Sequence, residues 1–257
     1  MKVIRVNAKS AYTKTKIPGV DYVINHYVGC EHACKYCYAK FMCKRYNLEE
    51  WGSWIVVKEN TPKLVRKYVR GLVFMCSVSD AYQPIEKELE LTRKILENMN
   101  KKTKLSILTK SDLVLRDVDL FKRFKSIRVG LTLNTFYGKV KREIEPLSPR
   151  VEDRINALKE LHENNIENYA FISPIIPELT DIEEILRETK DFIKSYFFEF
   201  LNLKASGRDF VEWLKYNYPR SYEILSDEDL LKRYVKSTVE TVRNFKIEVK
   251  GIYIHNV

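Results

Sequence analysis

The chain has 257 residues, of which 45% are hydrophobic, so it can bury a substantial core as one large α/β domain or two small ones, and its composition excludes disorder. It has no apolar run of about eighteen residues, and its opening MKVIRVNAKSAYTK is charged and polar; both argue against a membrane span or signal peptide and for the cytoplasm. The net charge of +10 could serve a polyanion, but abundant Lys, Glu, Ile and Tyr with a single glutamine, Gln83, equally suit the charge-laced surface of a protein from a very hot habitat.

In chain order, β-branched or aromatic runs alternate with amphipathic ones. DYVINHYV (21–28) reads as a strand ending at a group of cysteines, and GLVFMCSV (71–78) as a second, buried strand. Ile85, Leu89, Leu96 and Met99 mark one face of a helix. LSILT (105–109) is a third strand with DVDLFKRF as a short helix behind it, and IRVGLTL (127–133) is a fourth. Val151, Ile155, Leu158 and Leu161 form the next helical stripe, and NYAFISPI (168–175) a fifth strand stopped by prolines. Ile182, Ile185 and Leu186 begin another helix, and YFFEFLNL (196–203) is a sixth strand. Phe210, Trp213 and Leu214 share a helical stripe, and IEVKGIYI (247–254) reads as a last strand.

No linker, repeat or low-complexity tract divides the chain. A βα unit repeated about six times winds right-handedly into a parallel sheet or barrel. Six units are too few to close eight strands, so the pattern predicts an α/β fold with an open, partial (β/α)6 barrel of the TIM type, its functional residues at the C-terminal strand ends. Residues 1–203 are read as this core, and 204–257 as a C-terminal helical extension and last strand packed on the same domain.

Four of the five cysteines lie between Cys30 and Cys43. A reducing compartment and an odd count argue against disulfides and for metal binding or catalysis. Cys30, Cys34 and Cys37 have the spacing C-x3-C-x2-C directly after the first strand. Three such thiolates can hold a [4Fe-4S] cluster by three irons and leave the fourth open as a reaction site. A Cys3His zinc site with His32 is the alternative, but structural zinc usually draws its ligand pairs from separate segments. Cys43, on the first helix, is taken as neither ligand nor catalyst.

CEHACKYC, with Tyr36 as its aromatic, resembles the signature of the radical S-adenosylmethionine (SAM) superfamily. The ordered segments NHYVGCEHACKYCYA, SDAYQPIE, LTKSDLVLRD, LTLNT, IEPLSPRVEDR and FISPIIP resemble the spore photoproduct lyase family and its uncharacterised relatives, over roughly residues 20–177. The resemblance implies that the open iron chelates SAM and that an electron from the reduced cluster cleaves it. The products are methionine and a 5'-deoxyadenosyl radical that abstracts hydrogen from a substrate. It places Tyr36 near the adenine and Tyr38 beside it in hydrogen-atom transfer, with Ser79 and Asp80 at the SAM amino group or ribose. Lys110 falls at the SAM carboxylate, and Thr132 and Asn134 near the ribose.

Each residue also has a plainer reading: core aromatics for the tyrosines, a helix N-cap for Ser79 and Asp80, a solvated lysine, a turn at Asn134. Cys76 matches, one position out of register, a lyase cysteine that returns hydrogen to the product; a one-residue slip reverses the face of a strand, leaving a small buried thiol as the alternative.

The cysteine group begins only 30 residues into the chain, and AYQPIE replaces the lyase loop, so the substrate is left open. A radical SAM enzyme acting on RNA, a peptide or a small metabolite is the leading expectation. Repair of a pyrimidine lesion in DNA is the second, and a non-enzymatic iron-sulfur or nucleic-acid binding module the third. A reductase or ferredoxin-type electron donor is the implied partner, with nucleic acid as a further partner class; no membrane is involved and a monomer suffices.

Overall fold

A computed structural model describes residues 1–255. The strands are β1 (Lys2–Val6), β2 (Thr13–Lys14), β3 (Tyr22–Ile24), β4 (Tyr27–Val28), β5 (Trp54–Lys58), β6 (Leu72–Met75), β7 (Lys104–Thr109), β8 (Ile127–Leu133), β9 (Glu167–Ile175), β10 (Ser195–Phe200) and β11 (Val249–Tyr253). Eight of them form one sheet in the order β11-β10-β9-β8-β7-β6-β3-β2, parallel throughout except for β2 against β3. The edge strands β2 and β11 do not pair with each other, so the sheet stays open, as the count of βα units predicts. Val73, Met75, Leu105, Ile107, Val129 and Leu131 are buried in its central strands, the near-continuous apolar character expected where crossover helices cover a parallel sheet. Among those helices, Val151–Glu163 buries Val151, Leu158 and Leu161.

The segment 21–28 is not one strand. Asn25 interrupts it, its side chain accepting from the Ser77 amide at 2.7 Å and donating to the Ser77 hydroxyl at 3.0 Å, where a continuing strand would use its backbone. The chain then enters a second sheet, β1-β5-β4, which the sequence reading did not anticipate. Its outer strands, one of two residues and one largely exposed, carry too little periodicity to read, and its central strand β5 is a buried run, WIVV, without alternation.

The stripe Ile85, Leu89, Leu96, Met99 also spans two helices, Glu86–Leu89 and Leu91–Asn98, broken at Glu90 with φ +50°. The buried Glu86 carboxylate makes the break stable by accepting from the Thr92 amide at 3.0 Å, the bond a capping side chain normally supplies. DVDLFKRF contributes one turn, Val118–Phe121, after a 3-10 stretch, Asp112–Asp117.

Beyond β10 come the helices Leu203–Ser206, Arg208–Asn217, Pro219–Ser226 and Glu228–Asn244, then β11, which pairs in parallel with β10. Phe210 and Leu214 are buried. Among the described residues no helix is long and apolar enough to cross a membrane.

Candidate active site at the cysteine loop

β4 hands the chain to Gly29, whose φ of +89° belongs to the left-handed half of conformational space. A Cβ there would stand 2.5 Å from the Trp54 carbonyl oxygen, so the loop can start only on glycine. The Gly29 carbonyl accepts from the Ser79 hydroxyl and, at 3.4 Å, from the Gln83 side chain. Gln83, wholly buried, also accepts from the Glu31 amide at 2.9 Å and donates to Ser79 at 2.9 Å. The one glutamine of the chain is thus a clamp on the loop. Gly29→Ala is expected to lower stability by about 1–3 kcal/mol, from backbone strain alone; urea unfolding measures it, and a lower iron content after reconstitution reports the displaced loop.

Cys30 and Cys34 are buried, Cys37 is partly exposed, and none is in a disulfide. Burial pushes each thiol upward; the charges of Asp80, Cys34 and Cys37 add to this at Cys30, while Lys110 opposes it at Cys34. Such thiols stay protonated and are not activated nucleophiles, and a metal bound there would have to displace their protons. His32 is turned away from them, its Nδ1 3.3 Å from the Leu147 carbonyl and its Nε2 3.3 Å from Asp80 Oδ2. Among the described residues no three His, Cys, Asp or Glu side chains are grouped around a single-ion site. Three thiols from one loop, without the imidazole, fit the donor set of a [4Fe-4S] cluster.

Asp80 ties this loop to the end of β7. Its carboxylate accepts from the Thr109 hydroxyl at 2.6 Å, the Tyr82 amide at 2.8 Å and the Lys110 amide at 2.9 Å, with His32 on its other side. Burial alone would raise its pKa, but His32 and these donors hold it well below the ordinary carboxylate range. Ser79 and Asp80 do not cap a helix, because the next helix begins only at Glu86; Asp80 closes a turn onto Tyr82 instead.

On the other flank, Tyr36, Lys110 and Asn134 converge on one carboxylate, Glu145, to which the sequence reading gave no role. Glu145 is fully buried and accepts from the Tyr36 hydroxyl, from Asn134 at 2.8 Å, from the Ser148 hydroxyl at 2.9 Å and from the guanidinium of Arg154, itself fully buried. These four bonds fill the lone pairs of a carboxylate. Arg154 also donates to the Thr132 carbonyl at 3.0 Å, which binds the end of β8 into the same network. Lys110 Nζ lies 3.8 Å from Glu145 and 5.7 Å from the centre of the Tyr36 ring. Phe210, from the C-terminal helices, packs edge-on against Tyr36 at 5.9 Å.

The other two expected residues stand apart. Tyr38 is exposed and donates to the Ser77 carbonyl. Cys76 is buried with its sulfur 3.5 Å from His26 Nδ1, and the opposite ring nitrogen is 2.8 Å from the Thr92 hydroxyl on the helix behind the sheet. Cys43 packs against the apolar group that contains Val28, Cys30, Met42, Trp51 and Trp54. A polar surface depression of about 410 Å³ near Asp181, Arg187 and Tyr234 includes none of these side chains.

An uncharacterised protein of Methanocaldococcus jannaschii is 59% identical over 256 residues, spanning 99% of this chain and 98% of that one. Among solved structures, spore photoproduct lyase complexed with dinucleoside spore photoproduct superposes with a TM-score of 0.67 at 15% identity, covering 98% of this chain and 82% of that one. Streptococcus suis SuiB bound to S-adenosylmethionine superposes with a TM-score of 0.50 at 15% identity, covering 89% and 49%. At that identity both likenesses speak for the fold alone. The family model of the radical SAM superfamily matches residues 24–191, a span that runs from the end of β3 past β9 and contains the cysteine loop, Lys110 and Glu145; the chain belongs to that superfamily.

Proposed function

We propose that the protein is a radical SAM enzyme whose substrate is still to be found, with Cys30, Cys34 and Cys37 as ligands of a [4Fe-4S] cluster. When bound, that cluster supplies the electron that cleaves SAM to methionine and a 5'-deoxyadenosyl radical, which takes hydrogen from a substrate. The observation that carries the reading is the three-thiol loop at the C-terminal edge of a parallel sheet, beside a cation left over for an anionic ligand. Glu145 is matched by Arg154, so the ammonium of Lys110 remains to meet the SAM carboxylate. Tyr36, fixed by Glu145 and Phe210, offers its ring as packing for the adenine. Asn134 and Thr132, at the end of β8, border the same space, and Ser79, Asp80 and Gln83 hold the loop in register with it.

Anaerobic reconstitution with iron and sulfide, followed by dithionite and SAM, is expected to yield 5'-deoxyadenosine. A Cys30→Ala, Cys34→Ala, Cys37→Ala variant is expected to yield none. A protein that binds a cluster and never cleaves SAM would overturn the reading.

Repair of a DNA lesion is not the preferred form of this activity. In the lyase resemblance a cysteine returns hydrogen to the product, whereas Cys76 is buried on His26. Cys76→Ala is accordingly expected to keep its cluster and its SAM cleavage and to lose only about 1 kcal/mol of stability, as read by visible absorption, deoxyadenosine yield and urea unfolding.

A further inference from the structure

Two donors beside the cysteine loop have no acceptor. The indole Nε1 atoms of Trp51 and Trp54 are buried and without a hydrogen-bond partner among the described residues. Leaving such a group dry costs about 1–3 kcal/mol, and native chains do so rarely, so each case calls for an explanation.

Both rings flank the segment that carries the thiols. A Cβ at Gly29 would stand 3.0 Å from the Trp54 ring, which places that ring against the residue before Cys30. A Cβ at Gly52, next to Trp51, would stand 2.5 Å from the Ala33 Cβ, so the turn at 51–53 lies directly on the loop between Cys30 and Cys34. The two rings meet edge-on, with centroids 6.0 Å apart. Such a contact can take up one N–H on the face of the other ring, and leaves the second donor over.

The packing around the pair limits what that donor can meet. Cys30 and Met42 belong to the same buried apolar group as the two indoles, and Cys37 and Cys43 pack against it. An apolar group of this kind offers a bridging water too few polar partners. Apart from the indoles themselves, the only side-chain atoms in the group other than carbon are sulfurs. A neutral thiol is a weak acceptor, whereas sulfur that carries negative charge, as thiolate or sulfide, is a much stronger one.

We propose that the Trp51–Trp54 pair donates an indole N–H to a sulfur of the cluster held by Cys30, Cys34 and Cys37, and that this bond raises the cluster's reduction potential. The inference rests on the radical SAM reading above. Hydrogen bonds to the sulfurs are among the levers by which a protein sets such potentials. The sign follows from charge: reduction adds negative charge to the sulfurs, so an N–H donor stabilises the reduced form more than the oxidised one. No electron or proton leaves the indole. The pair is a positioning element that acts through the cluster and needs no contact with SAM or substrate.

The test uses the reconstituted protein and two readouts. In the first, tryptophan is isotopically labelled at the indole nitrogen, and electron–nuclear double resonance is recorded on the dithionite-reduced cluster. Couplings to an indole nitrogen and to its exchangeable proton are expected. They are expected to vanish in the Trp51→Phe, Trp54→Phe variant and to persist in Trp213→Phe, whose ring packs on Phe210 and Tyr218 instead. In the second, a redox titration is followed by visible absorption. Phenylalanine keeps an apolar ring and removes the donor, so the double variant is expected to hold its iron and to be reduced about tenfold less favourably, ~59 mV more negative for one electron. The absence of indole coupling in the unmutated protein would overturn the inference, and so would an unchanged potential in a fully loaded double variant. If the double variant loses its iron, the coupling in the unmutated protein decides alone. An unmutated protein that assembles no iron-sulfur cluster would overturn the radical SAM reading itself, whereas a cluster that forms and cleaves SAM without either effect overturns only the donation.

Discussion

Arg154→Met is expected to lower stability by about 3–5 kcal/mol, the usual cost of removing one partner of a buried ion pair. Glu145 and Arg154 have no side-chain exposure, so water cannot take over for the lost guanidinium. The change also strips donors from the Thr132 carbonyl and, at 2.8 Å, the Pro149 carbonyl. A functional consequence follows from the charge balance. With Arg154 gone, Lys110 becomes the nearest cation to Glu145 and is drawn from the SAM carboxylate, so the KM for SAM is expected to rise by about tenfold, or about 1.4 kcal/mol. Replacing both partners, Arg154→Met with Glu145→Leu, is expected to regain much of the stability, because the uncompensated charge is then absent. The same double variant is expected to bind SAM poorly, since Tyr36 and Asn134 lose their shared acceptor. Urea unfolding and SAM titration of the two variants separate these effects; equal stability of the single variant and the unmutated chain would contradict the buried pair.

Acid is expected to weaken the fold well before its carboxylates titrate. His26 is wholly buried, and burial first, with Lys58 adding to it and Asp80 opposing, lowers its pKa from 6.5 to about 3. A histidine held neutral in the folded state contributes stability that is complete above its unfolded pKa and is lost as pH falls toward its folded one, because the unfolded chain then binds the extra proton. Between pH 7 and pH 4 this loss amounts to about 3 kcal/mol, at about 1.4 kcal/mol per pH unit below the unfolded value. Asp80 is depressed, so its contribution is complete above the unfolded carboxylate range of about 3.9 and is lost only below it. The two groups therefore act in successive pH windows. Urea unfolding from pH 7 to pH 4 measures the first, and His26→Gln, which stays neutral, is expected to flatten most of it; an unchanged slope in that variant would show that His26 is not the group.

The cysteine loop was legible because three thiols fall within eight residues, a local pattern that needs no knowledge of the fold. The open parallel α/β fold was legible for a similar reason: each βα unit carries its own periodicity, and right-handed crossovers wind such units into one parallel sheet. Glu145 was not legible. It sits in a charged stretch like many others, and its importance comes from burial against residues as distant as Tyr36. Gln83 was visible as a compositional oddity, but its clamp on Gly29 and Glu31 depends on a turn that brings together segments more than fifty residues apart. The single strand read over 21–28 failed at Asn25 because the apolar pattern runs on through it, while its side chain makes the bonds that end the pairing. The uninterrupted helix over 85–99 failed likewise at Glu90, where Glu86 supplies a cap from inside the first helix.

If the loop of Cys30, Cys34 and Cys37 holds a cluster with one iron open to SAM, the spectrum of that cluster must respond to SAM. Electron paramagnetic resonance of the reconstituted, dithionite-reduced protein, recorded before and after SAM is added, tests it most directly. A reduced-cluster signal, absent from the triple alanine variant, is expected to change shape when SAM binds. A signal indifferent to SAM, or a loop that takes up zinc in place of iron, would contradict it.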